Sequence, residues 1–304
     1  MPSNFFIVQL TIKTIKVMQN GIEYKITGQR ERGEVAGYHR KPQPLFLNKS
    51  KYGVDVSGLK KVDQKAIKFD GIEFASKYTI GFEVEKNQLS RNAVREYELF
   101  CGFERDGSCG YEAVTHVLPL LPAGQWRTKV YDMMHKAEKI IDDRFSPSDR
   151  RCGGHITIAV DGIDGAELLR QVRKNAGIVL ALFRHRLTNR FCGDNRRMET
   201  DFYGDRYQVA LVKGVCLEFR LPSRFESVKQ MMRRYELMFH LVDFSIQNPN
   251  GSFDTFMKRV QPVILSMYNG DADKANKVMT LAKHFQKYIN TGEVSDSIRE
   301  YLTR

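Results

Sequence analysis

The chain has 304 residues, 42% of them hydrophobic, enough for a substantial core and for one to three domains. Its 48 Lys and Arg against 36 Asp and Glu leave a net charge of +12, which attracts polyanions and keeps nucleic acid among the possible partners. No apolar run reaches membrane-spanning length, the N-terminus alternates instead of reading as a secretory leader, and the five cysteines lack CxxC spacing; a disulfide scaffold, a zinc knuckle and a membrane location are therefore disfavoured, and a reduced, cytoplasmic setting is expected.

Residues 5–17 alternate apolar and polar, with Phe6, Val8, Leu10 and Ile12 on one face, the pattern of a half-buried strand. From about Gly28 to Lys68 the chain is Lys-rich and punctuated by Gly, Pro and Asn, which predicts irregular structure, so residues 1–70 read as an accessory β-rich lead-in. Residues 71–224 alternate short strands with periodic helices and read as the core domain. Within it, Trp126, Val130, Met133, Met134, Ala137, Ile140 and Ile141 recur at spacings of three and four and predict one helix. A second is predicted over about Gly165–Leu187, with Leu168, Leu169, Val172, Ala176, Val179, Leu180 and Phe183 inward. Residues 225–304 are helical, the first stripe being Val228, Met231, Met232, Tyr235, Met238, Phe239 and Val242, with two more within 253–268 and 274–288. Methionines and aromatics at that spacing are core material.

Three short strands share a peculiarity. In "GFEVE" Glu83 and Glu85 lie on one face and Phe82 and Val84 on the other; in "GHITIAV" His155 and Thr157 oppose Ile156, Ile158 and Val160; in "CLEFRLP" Glu218 and Arg220 oppose Leu217, Phe219 and Leu221. Strand side chains alternate, so each segment is greasy on one side and bears ligand-type groups on the other. Carboxylates gathered on one sheet face repel unless a cation lies between them, and carboxylates with an occasional histidine suit Mg²⁺ or Mn²⁺ better than zinc. The chain has no GxxxxGK loop, no GxGxxG and no serine or cysteine triad pattern. Cys152 and His155 are three apart on an extended segment, on opposite faces, so Cys152 reads as a buried inert thiol. His39, His135, His185, His240 and His284 lack metal-ligand spacing.

The order "GFEVE", "ERDGSCGYEAVT", "CGGHITI", "RHRLTNRFC" and "RYQVALVKGVCLEFRLP" resembles the amidoligases, ATP-dependent carboxylate-amine ligases related to glutamine synthetase and glutamate-cysteine ligase, over residues 78–224. The resemblance implies an α+β fold: a curved, mainly antiparallel sheet of the glutamine-synthetase-like type, helices on its outer face, and an open polar face where ATP and substrates meet. It implies that Glu83, Glu85, Glu112, His155 and Glu218 hold Mg²⁺ or Mn²⁺, that Asp106, Gly107 and Ser108 form a turn leading to Glu112, and that Arg220 meets the phosphate in transfer. Glu112 and His155 join Arg220 as expected catalytic residues. Arg186 and Arg190 are expected on the ATP phosphates, with Arg184, Arg196 and Arg197 competing for that place. Three departures stand out: Thr157 where many relatives have a second histidine, His116 and Val117 where a proline pair is common, and no asparagine before the last strand.

The expected activity is amide-bond formation through an acyl phosphate, with small-molecule or peptide carboxylate and amine substrates and assembly through the C-terminal helices. The alternative is a non-catalytic, basic nucleic-acid-binding protein that keeps the ligase-like fold. Metal-dependent phosphodiester hydrolysis would use the same acids and histidine.

Overall fold

A computed structural model describes residues 78–160, 162–204 and 206–303, together with the backbone of 14–19, 22–27, 67–69 and 72–74. That last backbone forms an antiparallel sheet of β1 (Thr14–Gln19), β2 (Ile22–Thr27), β3 (Ile67–Phe69) and β4 (Ile72–Phe74), in that order. The expected strand face of Phe6, Val8, Leu10 and Ile12, and most of the irregular stretch after Gly28, lie outside the described residues.

The main sheet has seven strands: β5 (Tyr78–Lys86), β6 (Phe100–Asp106), β7 (Gly110–Thr115), β8 (Leu118–Pro119), β9 (Ile156–Val160), β10 (Ala210–Lys213) and β11 (Cys216–Phe219). Their order is β10-β11-β9-β5-β7-β6, with β8 also on β5, and every pairing is antiparallel. The register explains the two faces. Phe82 lies opposite Ile156, which lies opposite Phe219, while Ile80, Ile158 and Leu217 form a parallel row; all six are fully buried. On the other face Gly81 lies opposite Thr157 and Thr157 opposite Glu218, while Glu85 lies opposite Glu112. The antiparallel sheet and its division into greasy and charged faces agree with the sequence pattern.

The helices are α1 (Arg91–Val94), α2 (Gln125–Lys136), α3 (Glu138–Ile141), α4 (Gly165–Arg173), α5 (Gly177–Leu182), α6 (Val228–Gln247), α7 (Phe253–Met267), α8 (Ala272–Thr291) and α9 (Asp296–Leu302). The helix expected over 165–187 is instead two, α4 and α5, followed by a 3₁₀ turn at Arg184–Arg186. Two features break it. The Asn175 side chain donates to the Ser245 hydroxyl at 3.0 Å, and Gly177 lets α8 approach so closely that a Cβ there would sit 2.5 Å from the Ala282 carbonyl. The stripe from Val130 to Ile141 is buried as its spacing requires, across the junction of α2 and α3; the Trp126 side chain lies outside the described residues.

Helices α6, α7 and α8 start at Ser227, Ser252 and Asp271, whose side chains accept from backbone amides of the first turn. The helical layer is fastened to the sheet by buried polar contacts. The Tyr235 hydroxyl donates to the Pro119 carbonyl (2.6 Å) and accepts from the Leu121 amide (2.8 Å). Lys86, fully buried, pairs with Asp143 at 2.6 Å and donates to the Phe225 carbonyl at 2.8 Å. Among the described residues no helix is long and apolar enough to cross a membrane.

Candidate active site

The charged face of the sheet gathers residues distant in sequence. β5 supplies Glu83 and Glu85, β7 Glu112, the residue entering β9 is His155, and β11 with the residue after it supplies Glu218 and Arg220. All six are buried. The His155 ring bridges two of the acids: Nδ1 lies 2.7 Å from Glu83 Oε2 and Nε2 lies 3.3 Å from Glu85 Oε1. Nδ1 also faces Glu218 Oε1 at 3.9 Å. Glu85 Oε2 accepts the Gly153 amide at 2.5 Å, so the backbone entering β9 fixes the carboxylate on β5.

Crowding sets the electrostatics. The Glu112 carboxyl is pushed well above the usual carboxylate range, first by burial and then by Glu83 and Glu85, and its Oε1 has no hydrogen-bond partner. Asp106 goes the other way. Burial alone would raise it, but its Oδ1 accepts from the Ser108 amide (2.6 Å), the Ser108 hydroxyl and the Cys109 amide (3.1 Å), which together hold it low. The expected Asp106-Gly107-Ser108 turn is thus closed by Asp106 itself.

Glu218 is engaged on both oxygens. Oε1 accepts from Arg220 Nη1 at 2.6 Å, and Oε2 forms a close ion pair with Lys213 Nζ. Lys213 ends β10 on the face shared with Leu211, which lies opposite Glu218. Burial lowers its pKa and the Glu83 carboxylate acts in the opposite sense. Sequence reasoning missed Lys213, although the short turn between it and Glu218 was a usable signal: in a hairpin these two side chains are diagonal neighbours.

A cleft of about 200 Å³ opens over this face, lined by Glu85, His155, Arg220, the Asp106–Ser108 turn, Arg151, Arg186, Phe191, Arg206 and Tyr207. Of the two arginines expected on phosphate, Arg186 lines the cleft and donates to the Cys152 carbonyl at 3.0 Å. Arg190 instead lines an adjoining recess of about 460 Å³, with its guanidinium 4.6 Å from the Phe191 ring centre. The competitors are occupied elsewhere: Arg184 stacks on Tyr301, Arg196 donates to the Gly193 and Leu302 carbonyls, and Arg197 pairs with Glu199. Arg151, Arg206 and Tyr207 come from loops, where no periodicity marks a residue as facing a site.

The departures can also be placed. Thr157 is buried among the acids and its hydroxyl has no hydrogen-bond partner. His116 is buried just beyond β7, and burial pushes its pKa down to about 3, so it is neutral. Cys152 is buried against Cys109, whose hydrogen bond lowers the Cys152 thiol while raising that of Cys109.

No family model and no curated protein matches the chain. Among solved structures it is similar to apo GmaS without ligand, with 11% sequence identity and a TM-score of 0.33 over 79% of each chain. That likeness is slight. The functional reading rests on the site.

Proposed function

We propose that the protein is an ATP-dependent ligase that joins a carboxylate to an amine. The observation that carries the reading is one cleft in which Glu85 and His155 meet the arginines Arg151, Arg186, Arg206 and Arg220, over a sheet face that buries three further acids, Glu83, Glu112 and Glu218. Acids with an imidazole suit a hard divalent cation, and guanidinium groups suit phosphate oxygens; a nucleoside triphosphate carrying Mg²⁺ or Mn²⁺ requires both.

The donor set fits such an ion. One oxygen each from Glu83 and Glu218 and a ring nitrogen of His155 lie within 4.8 Å of one another, and atoms of Glu85, Asp106 and Cys109 form a second group of that size. Glu83 and His155 are the residues that would hold it, with Glu218 completing the first group, Glu85 at the other ring nitrogen of His155 and Glu112 behind them. When bound, a divalent ion neutralises the polyphosphate and withdraws charge from the phosphoryl group in transfer.

The chain's own residues then have separable tasks. Arg186 and Arg206 hold the phosphate chain along the cleft wall. Arg220, oriented by Glu218, meets the charge that builds on the transferred group. In the first step a bond forms between a substrate carboxylate oxygen and the γ-phosphorus, the bond to the β,γ-bridging oxygen breaks, and ADP leaves. In the second the amine attacks the acyl carbon, phosphate departs with the electron pair of the C–O bond, and the nitrogen loses a proton to solvent. Positioning carries this chemistry, so no nucleophilic side chain is needed.

The test is calorimetry of a non-hydrolysable ATP analogue with Mg²⁺ on the intact protein and on Glu85→Ala, with the fold of both checked by circular dichroism. Binding that is lost in the variant supports the reading. A well-folded intact protein that binds no nucleotide with Mg²⁺ or Mn²⁺ overturns it.

A further inference from the structure

Lys213 is an unusual resident for a cluster of acids. Its side chain is 5% exposed, it lies against Glu218, which is fully buried, and Glu83 and Glu112 are among the charges that act on it. A buried ammonium is costly unless paired, and packing does not call for one here: the preceding Val212 is 37% exposed, so the edge strand turns a valine outward and a lysine inward. Arg220 holds the other oxygen of Glu218, so that carboxylate is already neutralised by two cations of the chain itself.

From this geometry we infer that Lys213 is a built-in cation that replaces one divalent ion of the acidic cluster, confining exchangeable metal to the side formed by Glu83, Glu85 and His155. The inference rests on the proposed metal site and refines it. An ammonium carries one positive charge at a fixed point and offers no open coordination position, so it can hold Glu218 and, through it, Arg220 in place, but cannot coordinate a substrate oxygen. The Glu218 side of the cleft is then set before any ligand arrives. The ion requirement of the cleft is correspondingly smaller than five ligand-type side chains would imply. Lys213 is a positioning residue on this account, acting through Glu218.

The test counts Mn²⁺ bound per chain from the loss of the free-ion electron paramagnetic resonance signal, so no turnover is needed. Lys213→Met is expected to bind one ion more than the intact protein, because Glu218 becomes available as a ligand, and Lys213→Arg, which keeps the charge, to bind no more. Glu218→Gln in the intact background should leave the count unchanged, with an affinity loss well short of the about 10- to 100-fold that follows loss of even a supporting residue at a metal site. Equal counts for Lys213→Met and the intact protein, or loss of an ion in Glu218→Gln, overturn the inference. Circular dichroism accompanies each variant, and if Lys213→Met does not fold, the isosteric Glu218→Gln decides. An intact protein that binds no Mn²⁺ removes the metal site proposed above, whereas an ion gained in Lys213→Met would still uphold the role of the lysine; no ion in either protein overturns both.

Discussion

Gly153→Ala should weaken divalent-ion binding without unfolding the protein. A Cβ at this position would lie 2.8 Å from His155 Nε2 and 3.1 Å from both His155 Cδ2 and Glu85 Oε1. Ordinary contact begins at 3.4 Å, so the ring must retreat by about 0.6 Å (3.4 less 2.8). That exceeds the roughly 0.5 Å tolerance of a preorganised site. The ring cannot move alone, because its other nitrogen is 2.7 Å from Glu83. The backbone is not the obstacle: Gly153 is not among the glycines with positive φ, and its amide can still donate to Glu85. The expected loss of Mn²⁺ affinity is about 10- to 100-fold, read by titration with electron paramagnetic resonance detection. The stability change, read by urea denaturation, should stay at about 1–3 kcal/mol, the usual cost of added volume in a packed site. Gly154→Ala is the contrasting control. Its Cβ would meet the Ser223 carbonyl at 2.5 Å and the Phe225 ring at 2.8 Å, so rigid neighbours would have to move and the fold should suffer more. A folded Gly153→Ala protein with undiminished Mn²⁺ affinity would refute the argument that this glycine seats His155 between the acids.

With chelator present, stability should fall as pH rises above about 4.5, because Glu112, raised by burial and its acidic neighbours, binds a proton in the folded chain that the unfolded chain has released. Thermal melts between pH 5 and 8 test this, and Glu112→Gln, which cannot ionise, should flatten the slope. Tyr235→Phe leaves the Leu121 amide and the Pro119 carbonyl buried without their shared partner and should cost about 2–4 kcal/mol in urea denaturation. Arg186→Gln should weaken binding of the ATP analogue while Arg190→Gln affects it less, since only Arg186 lines the cleft over the acids; equal losses would place the phosphates across both recesses. Nucleic-acid binding driven by the net charge of +12 would fall steeply with salt and be indifferent to Glu85→Ala, which a filter-binding series would detect.

The sheet was legible because alternation is a local property. Phe82 and Val84 beside Glu83 and Glu85 announce both the strand and its two faces, and the same holds for Ile156 to Val160 and for Leu217 to Leu221. The pairing of Glu85 with Glu112 was not legible from spacing, since strand order is settled by packing between segments far apart in the chain. The break between α4 and α5 escaped for a similar reason: Ala176 and Val179 continue the apolar stripe, and the features that interrupt the helix are a hydrogen bond to Ser245 and the approach of α8 at Gly177. Lys213 was hidden by its type. A lysine next to a turn ordinarily reads as a solvated end, and the one signal against that reading was its diagonal place beside Glu218 across the short hairpin. Arg186 could be separated from Arg184, Arg196 and Arg197 once their partners were visible.

The seam behind His155 determines which parts of the protein can move. Gly154 donates to the Pro222 carbonyl, Gly153 bridges to Ser223, and Arg234 on α6 grips the carbonyls of Ser223 and Arg224 while its guanidinium lies 4.6 Å from the Phe225 ring centre. The turn carrying His155 and the stretch after Arg220 are therefore clamped to the helical layer as one stiff floor. Phe191, Arg206 and Tyr207 belong to the long connection between α5 and β10, and Gly107 and Ser108 to the tip of the β6–β7 hairpin, which also lines the cleft. Any closing of the cleft on a ligand falls to these two loops above the fixed floor, and residues that govern the rate of ligand release should be sought there, away from the acids.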